Sequence, residues 1–346
     1  MNILLVCDCN LPVSAYDDKA RMVWWLGKAL FQLGHHVTLM LKDTVVCDFA
    51  TTLVQNKQKS LNEQIPAHID LIHFHCDPKT EPDRPYLITY HEVSSGARSF
   101  DPNTVFLSDR HAHMHHGSVF VYPGADFESY TPPDLGAKRI WYHFLGDAGK
   151  KGRNVRGAID LTDKAGGRLH VVGGTRVNFR QGFRIPLSTT ARFHGALSPD
   201  GRDMIVNASK GLVLPVLWPE PFSLAVVESL FYGCPVFGTP FGALPEQLGK
   251  KPGGKSSQFP TSGTVEAFYS DYGCLSVKKT ELVEAIRNVD EYEREKCHEY
   301  ALSRFSSKRM AEEYLALYEK VLKGGVLHEN PPAVEEGMSD KMWVMS

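Results

Sequence analysis

The sequence predicts an α/β protein built in two similar halves, and three observations carry that prediction. The chain opens strand, helix, strand: an apolar run at 2–7, a helically spaced run at 19–33 stopped by Gly34, and a second apolar run at 37–41. A strand–loop–helix unit stands at 211–248. There Leu212-Val213-Leu214 reads as a buried strand, and Trp218-Pro219-Glu220-Pro221 cannot be helical because the residue before each proline is pushed out of the α region. Helical spacing resumes at 224–232 and Gly233 ends it. Finally, 346 residues leave room for about two domains, and 123–138, with Pro132-Pro133, reads as the linker.

Taken in order, further strands are expected at 69–73 and 87–89, with Pro78, Pro82 and Pro85 marking an irregular connection and His91 close behind the second strand. Trp24 and Trp25 read either as a pair touching a membrane surface or as core, since 22–30 has the period of a packed helix. The segment 109–117 carries His111, His113, His115 and His116. His111 and His115 share a helical face, but no carboxylate or cysteine completes a ligand set, so no metal is expected. A strand at 119–122 closes the first half.

The second half opens with a strand at 140–145, followed by Gly146, Asp147 and a basic loop, Lys150-Lys151-Gly152-Arg153. Cations at a strand–helix junction suit a phosphate, although a solvated basic turn is the plainer reading. A strand at 168–172 leads into Gly173-Gly174, where a nucleotide base can approach the backbone. A strand at 192–195 and a helix at 199–208 precede the central stretch, and helices are expected at 281–289, 291–305 and 308–322. Residues 249–256 match the phosphate-loop pattern G-x-x-x-x-G-K-[ST]. Residues 244–248 read as helix rather than strand before it, and Pro260 blocks a helix after it, so a basic surface loop is expected instead.

Two carboxylates frame the central junction: Glu220 in the loop and Glu228 about one turn into the helix. In an open α/β sheet this end of the strands is where ligands bind, and a helix start offers free N–H groups to a phosphate. Ionised carboxylates accept hydrogen bonds from vicinal hydroxyls, which suits Glu228 to a ribose and Glu220 to a sugar ring. As a bare spacing the pair also fits ordinary surface charge near a helix N-terminus.

The whole stretch resembles the family 4 retaining glycosyltransferases. Pro219-Glu220-Pro221-Phe222-Ser223, Glu228 seven intervening residues later, Gly233, Pro235-Val236 and 242–246 follow that family's signature, with Ser223 in place of the usual glycine. The resemblance implies a GT-B fold: two Rossmann-like domains with an interdomain cleft, an acceptor domain at 1–130 joined by a crossover helix at 308–323, a donor domain at 131–307, and a mobile tail at 324–346. It implies transfer of a sugar, with retention, from a nucleotide-sugar substrate to a glycan, lipid-linked or small-molecule acceptor. The implied catalytic residues are Glu220 and His91, the latter facing the donor sugar. Lys151 or Arg153, the N–H groups of Phe222, Ser223 and Leu224, the carboxylate of Glu228 and the backbone at Gly173 are implied to hold the donor. Asp17 and Asp18 stand where the family carries paired glycines, and Asp147 where it carries an arginine. These departures motivate an alternative, a catalytically impaired relative that binds a nucleotide sugar or serves as a partner subunit. A nucleotide-sugar epimerase or phosphorylase on the same fold is a third reading, disfavoured by the full central signature.

Composition narrows the remaining classes. A net charge of −2 gives no general pull towards nucleic acid. Seven cysteines without C-x-x-C spacing argue against a zinc site or disulfide framework and fit a reducing compartment. No run is long enough to span a membrane, so a cytoplasmic protein is expected, with peripheral contact at the inner membrane face allowed by the resemblance. No cofactor is expected, and without an Asp-x-Asp motif nothing calls for a metal ion.

Overall fold

The computed structural model describes all residues except 10, 12–16, 44, 57, 95, 175–187, 251–265, 335–344 and 346. The chain divides into two compact units, Met1–Asp126 with Phe305–Ser339, and Phe127–Arg304 with Asp340–Ser346.

In the first unit, strand β1 (Asn2–Val6) leads to helix α1 (Asp18–Gln32) and strand β2 (His36–Leu41). The helix starts where Asp17 Oδ1 accepts from the Ala20 N–H, and ends before Gly34, whose φ of 87° few other residues adopt. Strands β3 (Thr51–Val54), β4 (Leu71–Phe74), β5 (Tyr86–Thr89), β6 (Arg98–Ser99) and β7 (Thr104–Val105) follow. The main sheet is parallel in the order β3-β2-β1-β4-β5-β7. Strands β1, β4 and β5 are buried almost throughout, which is why they read as continuous apolar runs. On one face Leu4, Val6, Ile72, Phe74 and Ile88 pack with Leu61, Ile65 and Ile69 from the connection. The short helix α2 (Asp109–Met114) carries the histidine run.

Four expectations for this unit are corrected. The segment 119–122 is not a strand: it makes a single bridge, Phe106 to Phe120, because the chain leaves the sheet after one contact. Asp18 is not a loop residue but the first of α1, and Asp17, the last residue before the helix, is its cap, the position where a short carboxylate satisfies an orphan N–H. Cys7 and Cys9 form a disulfide, a pairing that spacing rules built on longer loops pass over. The tail does not come loose at 324: Ala333–Val334 pairs antiparallel with β6, and Leu327 and His328 are buried. His328 Nε2 accepts from the N–H groups of Ser118 and Val119 at 3.1 and 3.2 Å.

The second unit repeats the plan. Strand β8 (Trp141–Leu145), helix α3 (Val155–Lys164), strands β9 (Leu169–Val172) and β10 (Ala191–Phe193), helix α4 (Pro199–Asn207) and strand β11 (Ser209–Leu214) are followed by helix α5 (Leu224–Phe231) and strand β12 (Val236–Gly238). Helix α6 (Leu244–Gln247), the hairpin β13 (Phe268–Ser270) and β14 (Gly273–Leu275), and helices α7 (Lys279–Arg287) and α8 (Arg294–Arg304) complete it. The sheet order is β10-β9-β8-β11-β12-β14-β13, parallel except for β13. The phosphate-loop match at 249–256 lies largely outside the described residues, and α6 precedes it where that motif requires a strand.

Helix α9 (Ser307–Leu322) returns to the first unit, where Tyr314 and Tyr318 are fully buried. The chain's exit and return are stitched together: Ala125 N–H donates to Phe305 O at 2.8 Å and Ser307 N–H to Ala125 O at 2.9 Å. Gly124 permits this approach, since a Cβ there would lie 2.2 Å from Ser306 O.

Candidate functional site

The second unit builds its site around the loop after β11. Glu220 is 2% exposed and its Oε2 lies 2.5 Å from Arg153 Nη1. Two groups named separately from sequence, a carboxylate for the sugar and a cation for the phosphates, are thus one ion pair. The Arg153 guanidinium also lies over the Trp218 ring, 5.7 Å from its centroid. The backbone of Glu220 is held from the other side, its carbonyl accepting from Ala243 N–H at 2.8 Å. Gly242 makes that contact feasible. It has φ 63°, and a Cβ there would fall 2.1 Å from Glu220 O.

Helix α5 begins beside this pair, and here one expectation is corrected. The Ser223 N–H is not available to a phosphate, because it donates to Gln247 Oε1 at 3.0 Å, while Gln247 Nε2 donates to Ser223 O at 2.9 Å. A fully buried amide from α6 therefore clamps both backbone groups of the residue that starts the helix. Ser223 does not cap α5 with its side chain, and its Oγ is buried without a partner among the described residues. First-turn N–H groups have no partner within a helix, so the Leu224 N–H has none within α5 and can donate to an anion.

Glu228 lies deeper than a ribose site would suggest. It is 4% exposed, its Oε1 is 2.8 Å from Arg202 Nη1, and it accepts from Tyr130 Oη at 2.9 Å. Arg202 in turn donates through Nε and Nη2 to Asp203 Oδ1 at 2.9 and 2.7 Å, and Asp203 Oδ2 accepts from Thr131 N–H at 3.3 Å. Sequence reasoning missed Arg202 and Asp203 because nothing in the pattern of α4 marks its polar face as buried, and missed Tyr130 because it lies far from Glu228 along the chain. Behind α5, His143 bridges Ser209 Oγ at 2.7 Å and Ser229 Oγ at 2.8 Å, and burial pushes its imidazole down to about 3.

The remaining donor candidates have simple local causes. Lys151 is exposed on a 3-10 turn, Lys151–Arg153, which ends at Asn154 in the left-handed region, φ 54°. Asn154 Oδ1 then caps α3 through the Gly157 N–H, and its Nδ2 donates to Pro215 O at 2.8 Å. Asp147, which stands where the resemblance leads to an arginine, closes its own turn by accepting from Gly149 N–H at 2.9 Å. Gly173 and Gly174 both have positive φ, 98° and 95°, and the Gly173 carbonyl accepts from Ala148 N–H at 2.9 Å.

In the first unit, His91 Nε2 lies 2.9 Å from His75 Nδ1. The adjacent His73 bonds Tyr318 Oη and Thr89 Oγ1, both at 2.7 Å, and Thr89 Oγ1 meets Tyr314 Oη at 2.8 Å. Burial first, then neighbouring positive charge, holds all three imidazoles well below the usual histidine range, so they are neutral near pH 7.

Asp17 and Asp18 are drawn into α1, Asp18 Oδ1 accepting from Arg21 at 2.9 Å. His111 Nε2–H donates to Glu92 O at 2.7 Å while its Nδ1 accepts from Leu107 N–H at 3.2 Å, and His115 is held likewise between His111 O and Ser94 N–H. Their ring nitrogens therefore serve the backbone. Trp25 is in the core and Trp24 packs edge-on against Phe49, which removes the paired membrane surface. Among the described residues no helix is long and apolar enough to cross a membrane, and no cluster of metal-ligating side chains is present.

No family model matches the chain, and no curated protein matches it by sequence. Solved structures do match. AviGT4, a glycosyltransferase involved in avilamycin A biosynthesis, is 19% identical with a TM-score of 0.69 over 94% of this chain and 99% of that one. Sucrose-phosphate synthase from Thermosynechococcus elongatus is 15% identical with a TM-score of 0.67, covering 94% and 100%. Anabaena HepE, solved in complex with UDP and glucose, is 15% identical with a TM-score of 0.60, covering 92% and 99%. With two parallel α/β units and these matches, the chain has the GT-B fold of glycosyltransferases.

Proposed function

We propose that this protein is a retaining glycosyltransferase that moves a sugar from a nucleotide-sugar donor to a glycan, lipid-linked or small-molecule acceptor. The observation that carries the reading is the buried Glu220–Arg153 pair beside the start of α5, within a fold whose structural neighbours include named glycosyltransferases. In the proposed reaction the acceptor oxygen bonds to the anomeric carbon as that carbon's bond to the diphosphate breaks. The leaving diphosphate takes the acceptor proton on the same face, so configuration is retained. Its growing charge is met by Lys151, Arg153 and the N–H of Leu224, of which Arg153, held by Glu220, and the backbone N–H are in place before the step. Glu220 accepts from sugar hydroxyls, and the neutral imidazole of His91 is the proposed partner of another.

A second reading is favoured by one specific observation. Arg202 and Tyr130 already engage Glu228 Oε1, so a ribose hydroxyl would have to share that carboxylate with fixed partners. A protein that binds nucleotide sugars weakly, or serves as a partner subunit, would tolerate that arrangement. Calorimetric titration with UDP, GDP and ADP, followed by transfer assays with the matching nucleotide sugars, decides between them. The proposal expects one nucleotide to bind, and Glu220→Gln to keep that binding while transfer falls by about 100-fold, the scale of one lost transition-state contact. Unchanged transfer in that variant removes Glu220 from the mechanism, and no nucleotide binding in the parent protein overturns the reading.

A further inference from the structure

The first unit holds a cavity of about 630 Å³ whose walls are formed largely by residues that follow the carboxyl ends of β1–β5. It straddles β1 and β4, the neighbours at which strand order reverses and where ligands settle in doubly wound sheets. Its charges are uneven. Lys19 is paired with Asp8, and Arg98 makes a two-pronged pair with Asp77 at 2.6 and 2.7 Å. Lys42, Lys59 and Lys79 remain on the wall with no ion pair among the described residues, against the single further carboxylate of Glu92. A second observation is independent of charge. His75, 3% exposed, lines the same cavity, and its Nε2 has no hydrogen-bond partner among the described residues. A buried polar atom left in that state is uncommon and is relieved when a ligand supplies the partner.

We propose that this cavity binds an anionic group, a phosphate or carboxylate carried by the acceptor, on Lys42, Lys59 and Lys79, with His75 and His91 behind it. Calling the ligand an acceptor rests on the glycosyltransferase reading; the anion site itself does not. Ammonium groups on flexible stems act as point charges that suit either anion. The anion has two sources, a free sugar acid or sugar phosphate, or the headgroup of an anionic lipid.

The test uses the full chain. Glucose, glucose 6-phosphate and glucuronate are titrated calorimetrically, and vesicles with and without phosphatidylglycerol are tested by co-sedimentation, all beside a nucleotide titration. The expected result is that an anionic probe binds, glucose does not, and raising the salt concentration weakens binding. Each of Lys42→Ala, Lys59→Ala and Lys79→Ala should weaken it by about tenfold, the effect of one charge-assisted hydrogen bond. The triple variant should lose the anion while keeping its melting temperature and its nucleotide affinity. Vesicle binding lost in the triple variant names the lipid as the source, whereas binding of the small anions alone names a free acceptor. The proposal is overturned if glucose binds as well as its anionic counterparts, if no anionic probe binds, or if the triple variant is unchanged. It is also overturned if that variant loses nucleotide and anion together. Anion binding without any nucleotide binding would leave this site standing and remove the glycosyltransferase reading.

Discussion

The two units finish their parallel strands in opposite ways. After β11 the charged groups are buried and engaged with one another: Glu220 with Arg153, and Glu228 with Arg202 and Tyr130. After the strands of the first unit, Lys42, Lys59 and Lys79 stand exposed around an open cavity. The difference is one of desolvation. A buried carboxylate must be held by fixed partners, so its geometry is set before any ligand arrives, whereas an exposed lysine stays hydrated and adapts. The first arrangement suits a group that must be in place when charge develops, and the second suits recognition of a mobile partner.

The comparison can be broken most severely at Arg202. Arg202→Ala leaves Glu228 and Asp203 buried without their cation and is expected to cost about 3–5 kcal/mol, read from the urea midpoint. A loss below about 1 kcal/mol would mean that water reaches these carboxylates, and the contrast in burial would fail. Next comes Gly242→Ala, which forces a Cβ into the Glu220 backbone at a positive φ. It should destabilise the second unit by about 2–3 kcal/mol and, if the proposed function holds, reduce transfer more than nucleotide binding, because the displaced group is Glu220.

Acid sharpens the contrast from the first unit's side. His73, His75 and His91 have folded pKa values below those of the unfolded chain, so the unfolded state binds more protons as pH falls through about 6.5. Stability is therefore fully present above that value and declines below it, by up to about 1.4 kcal/mol per pH unit for each imidazole. Urea midpoints at pH 7.5, 6.5 and 5.5 check the sign; a rising midpoint on acidification would contradict it. Tyr318→Phe strips one hydrogen bond from the buried His73 and should cost about 1–2 kcal/mol at neutral pH. The smallest effect belongs to Lys42→Ala, which should move stability by no more than about 0.5 kcal/mol, since an exposed lysine contributes little to the fold. A larger loss would show that Lys42 is structural and weaken its assignment to an anion.

Much of the fold was legible because buried parallel strands are nearly continuous apolar runs. The strands β1, β2, β8 and β9 and the helices α1, α4 and α5 fall within two residues of where the pattern put them. The short strands β6, β7, β13 and β14 were not legible, being two or three residues long and defined only by their neighbours. The site divides in the same way. Glu220, Arg153 and Glu228 could be named from a proline-bounded loop and a helix start. Their partners could not, because Arg202 and Tyr130 meet Glu228 from 26 and 98 positions away in the chain, and no local rule spans such gaps. The aspartates show the converse error. Asp17 and Asp147 were read as departures from the family's glycine and arginine, yet each has a local role, satisfying a backbone N–H within three residues of itself.

The sequence by itself determined what depends on neighbours along the chain: the alternation of strand and helix, the turn that lifts Glu220 between two prolines, and the cations of the loop after β8. The tertiary structure alone decided which charge met which. The Gln247 amide took the Ser223 N–H, Arg153 took Glu220, and Lys42, Lys59 and Lys79 were left without ion pairs among the described residues. The physical reason is that pairing follows burial, and burial is set by the packing of segments far apart in the chain, which no window of sequence contains.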